Sequence, residues 1–418
     1  MTFEYHGDQL YVENVSVGEL SESVGTPFYC YSARAIRNAY ARYRDAFGNT
    51  DALVCYAVKA NSNQSVIGLL AGLGAGADVV SAGELRRALE AGVAADRIVY
   101  SGVAKTAPEM KYALEHGILQ FNVESEPEVR LLNEVALSLG TRAPVAFRIN
   151  PDIDAHTHEK ITTGRAINKF GVPWSKAKEI YARAAELPGI RIQGIATHIG
   201  SQLTELGPFE EAFECHKALA AELREAGHAI SVLDIGGGLG IDYGDGKRSP
   251  PSIEDYAGMA TDILGSLDCR ILIEPGRSLV GEAGILVSRV IYVKQGESRR
   301  FLIVDAGMND FLRPSLYDAY HDITPVRRPG NPERQLYDVV GPVCETGDAF
   351  ARNRELPPME SNDLIAIRNA GAYGAVMASI YNTRPLAPEV LVDGDAQRIV
   401  RERVDAERLI GLDTPCTR

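Results

Sequence analysis

The sequence predicts an α/β fold, a parallel (β/α)8 TIM-like barrel over residues 33–280 joined to an all-β domain built from residues 1–32 and 281–418. Three observations carry this expectation. A short β-rich run, a polar turn and an amphipathic stretch recur about eight times between Ala33 and Gly281. Strands alternating with helices imply parallel pairing, because each return crosses over through a helix. After Gly281 the runs are β-rich with Pro- and Gly-bearing connections, the texture of a sandwich or barrel. About eight strands in roughly 250 residues suit a closed barrel, although an open doubly wound sheet meets the same count.

In chain order, a helical stretch Ala33–Phe47 precedes the first strand. The β-like runs are Leu53–Val58, Ala77–Val80, Arg97–Ser101, Leu119–Val123, Pro144–Ile149, Arg191–His198, Val232–Ile235 and Arg270–Glu274. Between them lie Ser62–Leu73, Gly83–Ala91, Ala107–His116, Glu126–Leu139, Ser175–Glu186, Pro208–Ala226 and Ser252–Ser266 as helices. Ser81-Ala-Gly-Glu84 and Ser125-Glu-Pro-Glu128 read as capping boxes, the second with Pro127 just inside the helix. The later strands are Ile285–Lys294, Arg300–Val304, Leu336–Val340, Asp363–Ile367, Glu389–Val392 and Arg398–Val404, and Gln9–Val12 and Phe28–Tyr31 are assigned to the same domain.

The 418 residues carry a net charge of −13, which argues against a protein that coats nucleic acid or an anionic membrane. No stretch reaches a spanning length; Val66–Ala77 comes nearest and Asp78 ends it. The start, MTFEYHGDQL, lacks a basic region followed by an apolar one. Six scattered cysteines without C-x-x-C exclude a disulfide scaffold or zinc ribbon and fit a reducing cytoplasm.

Barrel chemistry sits at the C-terminal ends of the strands, and the unusual residues collect there. Lys59 follows strand one in YAVKANSN, Arg148 and Asn150 close strand five, and His198 ends strand six. A lysine there is more often a solvated charge than an amine kept dry, but a desolvated amine can form a Schiff base with an aldehyde cofactor. Gly236-Gly237-Gly238 follows strand seven; such glycines serve tight turns or bring backbone N–H groups onto a phosphate. Glu274 and Arg277, in EPGR after strand eight, are either a weak surface ion pair or a partner for a pyridine nitrogen and a fork for an oxyanion. In the second domain Cys344 and Glu345 occupy GPVCETGD, and Tyr373 lies among small residues as if something flat approaches that backbone. A tyrosine packed over glycine is the equal alternative. His156 and His158 have no ligand set at metal spacing nearby, so 152–167 reads as a mobile loop over the site. No metal is expected.

These motifs resemble the fold-type III pyridoxal-phosphate decarboxylases, most closely those acting on diaminopimelate. The likeness runs from Thr26-Pro-Phe-Tyr29 through YAVKANSN, INPDIDAHTHEKITTGRAINKFG, HIGSQ, DIGGGLG, EPGR, RPSLY, GPVCETGD and GAYG to YNTRPLAPEVLVDG. The resemblance implies that Lys59 holds pyridoxal 5'-phosphate covalently, Glu274 pairs with its pyridine nitrogen and His198 stacks on its ring. It implies that Gly236, Gly237, Gly238, Pro275, Gly276 and Arg277 hold the phosphate with Ser201 nearby, and that Tyr373 touches the cofactor. Substrate groups would meet Arg277, Arg313, Tyr317, Glu345 and Tyr373. Cys344 is the implied second catalytic residue, entering with Glu345 from the other subunit of a homodimer with shared sites. The implied reaction is decarboxylation of meso-2,6-diaminopimelate to L-lysine and CO2, the last step of lysine biosynthesis. Alternatives are a decarboxylase of ornithine, arginine or carboxynorspermidine, an amino-acid racemase, or a non-catalytic homologue that binds the cofactor or a partner.

Overall fold

A computed structural model describes residues 2–154, 163, 168–246, 249–330 and 333–414. The chain divides into two compact units: Arg37–Ile241 with Ser249–Leu279, and Met1–Ile36 with Asp242–Arg248 and Val280–Arg418. His156, His158 and most of the expected 152–167 loop lie outside the described residues.

Eight parallel strands close the barrel of the first unit: β1 (Ala52–Ala57), β2 (Gly76–Val79), β3 (Ile98–Tyr100), β4 (Gln120–Val123), β5 (Ala143–Asn150), β6 (Ile190–Ala196), β7 (Val232–Asp234) and β8 (Arg270–Ile273). The register Ile271–Ala52 to Ile273–Val54 joins β8 to β1, which excludes the open sheet. Every residue of β2, β3, β4 and β7 is buried, so these strands read as continuous runs without polar alternation. Inside, Leu53, Cys55, Val99, Val232 and Leu272 form an apolar cluster. A buried polar chain also crosses the barrel: Gln193 donates to Gln120, Gln120 to Asn122, and Asn122 to Asp234 at 3.1, 2.8 and 2.7 Å.

Strand and helix ends differ from expectation where tertiary bonds intervene. β6 ends at Ala196, whose last partners are Arg148 and Asp234, because β7 turns away there into the glycine run; His198 therefore stands in the loop. Ser81 and Ser125 do cap their helices, accepting from the amides of Glu84 and Glu128. Neither makes a full capping box, since Glu84 and Glu128 instead accept from Val80 and Glu124, the residues leaving β2 and β4. Each glutamate ties a strand exit to the helix that follows. The reciprocal bond forms at Thr106, whose amide donates to Glu109 at 2.9 Å.

In the second unit the long strand Gly284–Gln295 is the hub. It pairs with Phe28–Ser32, Leu364–Ile367 and Arg300–Val304, and the sheet continues to Gln335–Val340 and Ala349–Leu356 on one side and Glu389–Asp393 and Ala396–Arg401 on the other. A three-stranded sheet, Phe3–His6, Gln9–Val12 and Val15–Ser16, supplies Phe3, Leu10 and Val12 to a core shared with Phe28, Cys30, Ile285, Val287, Val390 and Val392. The unit is mainly β with short helices at Val17–Val24, Arg313–Tyr317 and Ala406–Ile410. Ala349–Leu356 is a strand that periodicity misses, because as an edge strand its exposed face carries arginines and a glutamate. Among the described residues no helix is long and apolar enough to cross a membrane.

His216, on the helix Gly207–Glu225, is 2% exposed, and among the described residues neither ring nitrogen has a hydrogen-bond partner. Burial pushes it from the ordinary 6.5 down to about 4. The unfolded chain therefore binds the extra proton first, and stability is lost as pH falls through that window. Urea unfolding of His216→Leu should show a shallower acid loss than the parent, the difference growing to about 2 kcal/mol near pH 5.

Candidate active site

The functional side chains of the barrel unit come from strand ends and the loops just beyond them. The 3-10 turn Val58–Ala60 after β1 presents Lys59, β2 carries Asp78, β4 Asn122, β5 Arg148 and β7 Asp234; His198 and Glu274 follow β6 and β8. Of these, Lys59, Asn122, Arg148, His198, Asp234 and Glu274 line a cavity of about 290 Å³ together with Ser101, Thr163 and Phe170. Parallel closure explains the convergence, since all eight C-terminal ends reach the same rim.

Buried acids gather at and beside this cavity. Asp78, Asp234 and Glu274 are 0%, 1% and 7% exposed. Lys59 Nζ donates to Asp78 Oδ2 at 2.6 Å, while Asp78 Oδ1 is buried without a hydrogen-bond partner among the described residues. Lys59 is thus neither a solvated strand-end charge nor a stripped amine: it is an ion-paired amine with its side chain about one-third exposed (35%). Asp234 accepts from Asn122 Nδ2 at 2.7 Å and from the Gly236 amide at 3.0 Å. Burial pushes Asp234 up to about 6. Burial, then the charges of Asp234 and Asp78, push Glu274 well above the usual carboxylate range. With two N–H donors on Asp234, the proton belongs on Glu274 when no cation faces it.

His198 is held neutral. Burial first, then Arg148 and Lys59, push it well below its ordinary value. Its Nδ1 accepts from the Gly237 amide at 3.2 Å, which leaves the ring proton on Nε2. Arg148 donates to the His198 carbonyl and to Glu124 and lies 4.8 Å from the centre of the Phe170 ring.

The glycines answer first to packing. A Cβ on Gly237 would lie 2.1 Å from the Glu274 carbonyl oxygen and one on Gly238 2.5 Å from that of Gly200, so only glycine lets the loops after β6, β7 and β8 nest. The Glu274 amide donates to the Gly236 carbonyl and the Ala57 amide to that of Pro275; Gly276 packs on Ala57 and Ala60. Arg277, 4% exposed, donates to Ser201 Oγ at 3.0 Å. Of the barrel residues expected from sequence, Lys59, His198 and Glu274 line the cavity. Gly236, Gly237 and Gly276 adjoin it through backbone contacts, and Arg277 and Ser201 bond to each other. A pyridine-bearing phosphate ester suits them: an amine at one wall, a carboxyl able to meet a ring nitrogen, a flat neutral imidazole, and closely nested glycine backbone.

In the second unit, Arg313 and Tyr317 share the helix Arg313–Tyr317, the guanidinium 5.8 Å from the Tyr317 ring centre. Cys344 and Glu345 are exposed on a loop organised by the buried Asp348, whose carboxylate accepts from Val343 and Met308 and whose amide donates to the Glu345 carbonyl. Tyr381 donates to Glu345. Tyr373 is left-handed at φ +55°. Close packing requires Gly371, two residues before it, since a Cβ there would lie 1.9 Å from the Val280 carbonyl oxygen. Sequence gives no site role to Asp78, Asn122, Asp234 or Asp348; their one signal is a charged or amide side chain inside an apolar run or closing a glycine-bearing turn.

The family profile "Pyridoxal-dependent decarboxylase, pyridoxal binding domain" matches residues 33–281. The chain is 50% identical over 413 residues to the diaminopimelate decarboxylase of Zymomonas mobilis, covering 98% of this chain and 97% of that one. The chain belongs to the diaminopimelate decarboxylase family. Among solved family structures, that of Helicobacter pylori complexed with L-lysine superposes with a TM-score of 0.90 at 45% identity, covering 94% of this chain and 98% of that one. The M. jannaschii enzyme in co-complex with L-lysine superposes with a TM-score of 0.94 at 38% identity, covering 99% and 98%.

The raised Glu274 carboxyl has a measurable consequence for the cofactor-free chain. An acid protonated in the folded state loses stability as pH rises above its unfolded value, 4.5, through the folded one. Glu274→Gln should flatten that decline above about pH 4.5 in denaturant titrations of the cofactor-free protein.

Proposed function

We propose that this chain is a pyridoxal-phosphate-dependent decarboxylase that converts meso-2,6-diaminopimelate to L-lysine and CO2. The observation that carries this is near-full-length similarity to diaminopimelate decarboxylases, in a barrel whose rim holds Lys59 on Asp78 beside Glu274. When bound, pyridoxal phosphate supplies an electron sink for the pair left by the departing carboxylate.

The residues divide the remaining work. Lys59 anchors the cofactor, and Asp78 holds its Nζ in place before the amine is engaged. Glu274 would face the ring nitrogen and hold a proton there, a role supported by the acids crowded around it. Neutral His198 covers one ring face without adding charge. Gly236–Gly238 and Glu274–Arg277, with Ser201, bind the phosphate, and Tyr373 contacts the cofactor. Once CO2 has left, Cys344 Sγ or Lys59 Nζ would return a proton to that carbon.

Selectivity follows from charge. Diaminopimelate has a second amino-acid end, and Arg313, with Arg277 and Tyr317, suits its carboxylate while Glu345 suits its ammonium. Ornithine and arginine offer no second carboxylate, so they would leave a buried arginine unmatched. We further propose a homodimer in which Cys344 and Glu345 complete the site of the second copy; their exposure supports it.

CO2 release measured in parallel on meso-diaminopimelate, ornithine and arginine tests the reaction; turnover of the first alone is expected, and preference for either other substrate refutes it. Arg313→Ala should raise KM for diaminopimelate about 100-fold or more, the scale of losing a buried charged contact. Near-normal kinetics would remove Arg313 from the site. Lys59→Ala should also lose the yellow absorbance and the borohydride-fixed adduct. Where Cys344→Ala is inactive, mixing it with inactive Lys59→Ala should restore about a quarter of wild-type activity if sites are shared across a two-fold dimer; no recovery points to self-contained sites.

A further inference from the structure

Arg313 is held by a residue to which neither motif nor resemblance gives a role. The guanidinium is 6% exposed, and its Nε donates to Nε2 of His321 at 3.2 Å. Arginine can only donate, so Nε2 accepts and the ring proton sits on Nδ1, 2.8 Å from the Arg368 carbonyl oxygen that receives it. The ring, 1% exposed, is wedged edge-on between Tyr243 and Phe311 at centroid distances of 4.8 and 4.6 Å. Packing on both sides and a bond at each nitrogen leave the imidazole one orientation. Arg313 also lies 5.3 Å from the Tyr243 ring centre, so the same tyrosine steadies both partners. Accepting from Nε fixes the rotation of the guanidinium plane, and that rotation decides where its terminal nitrogens point.

We propose that His321 is a positioning residue for substrate selection: by accepting from Arg313 Nε it aims the guanidinium at the carboxylate of the substrate's second amino-acid end. This rests on the reading of Arg313 given above. A bidentate fork recognises a carboxylate only when its plane is set. The neutral ring with Nε2 bare does this without placing a second charge beside the arginine.

Two variants separate aiming from mere support. In His321→Gln the side-chain Oε1 falls near the position of Nε2 and can still accept from Arg313. In His321→Asn the amide reaches the Arg368 carbonyl but stops short of Arg313. With the holoenzyme, His321→Asn should raise KM for diaminopimelate and the inhibition constant of L-lysine together by about tenfold, the scale of one hydrogen bond to a charged group. Inhibition by cadaverine, which lacks a carboxylate, should not move, kcat should change by less than about twofold, and His321→Gln should recover most of the loss. Equal weakening of lysine and cadaverine, an unchanged lysine constant in His321→Asn, or no rescue by His321→Gln would each overturn the proposal. The wild-type enzyme is assayed first: failure to release CO2 from diaminopimelate would sink the parent reading, whereas normal turnover with insensitive variants would sink only this one.

Discussion

Three buried carboxylates crowded at one end of a barrel are the constraint around which the site is organised. Asp78, Asp234 and Glu274 cannot all be charged in that space without cations to answer them. Lys59 answers Asp78, two N–H donors answer Asp234, and Glu274 keeps a proton. Glu274 can therefore ionise only where a cation faces it. On the proposed reading, a protonated pyridine ring would be such a cation, and the cost of burying the acids would favour its binding. The neutral imidazole of His198 fits the same logic, since another positive group would compete with Lys59 for those acids.

Rigid surroundings make this charge pattern specific. Asn122 Nδ2 reaches Asp234 at 2.7 Å and approaches Ser101 Oγ and Glu274 at 3.2 and 3.4 Å, so one amide bridges three strand exits. Gln120 and Gln193 extend the chain across the barrel. A polar network in a core is tolerated when its members are bonded, and then it rigidifies. The nested glycines act similarly at the rim. They first let the loops after β6, β7 and β8 approach to backbone contact, and any use in holding a phosphate builds on that closeness.

The second unit repeats the principle with an arginine in place of acids. A buried guanidinium needs directed partners, and Arg313 has a neutral acceptor at Nε and aromatic rings beside its plane. Asp348 organises the Cys344–Glu345 loop by accepting two amides, so the exposed thiol and carboxylate rest on a buried anchor.

Much of the barrel was determined by the chain alone. Its alternation of apolar runs with amphipathic stretches is local information, and the helices Ala33–Phe47 and Ala107–His116 begin and end where periodicity and capping place them. Lys59, His198 and Glu274 were visible because they stand at or just after strand ends in distinctive motifs. Tertiary structure decided what no local pattern encodes: that β8 meets β1, that Glu84 and Glu128 clamp strand exits rather than complete their caps, and that residues 3–30 share a core with 285–392. It also decided the electrostatics. Asp78 and Asp234 lie more than 150 residues apart, and each is one charge in an apolar run. Only closure of the barrel puts them within reach of the same carboxyl, because a pKa depends on distances in space that sequence spacing does not contain.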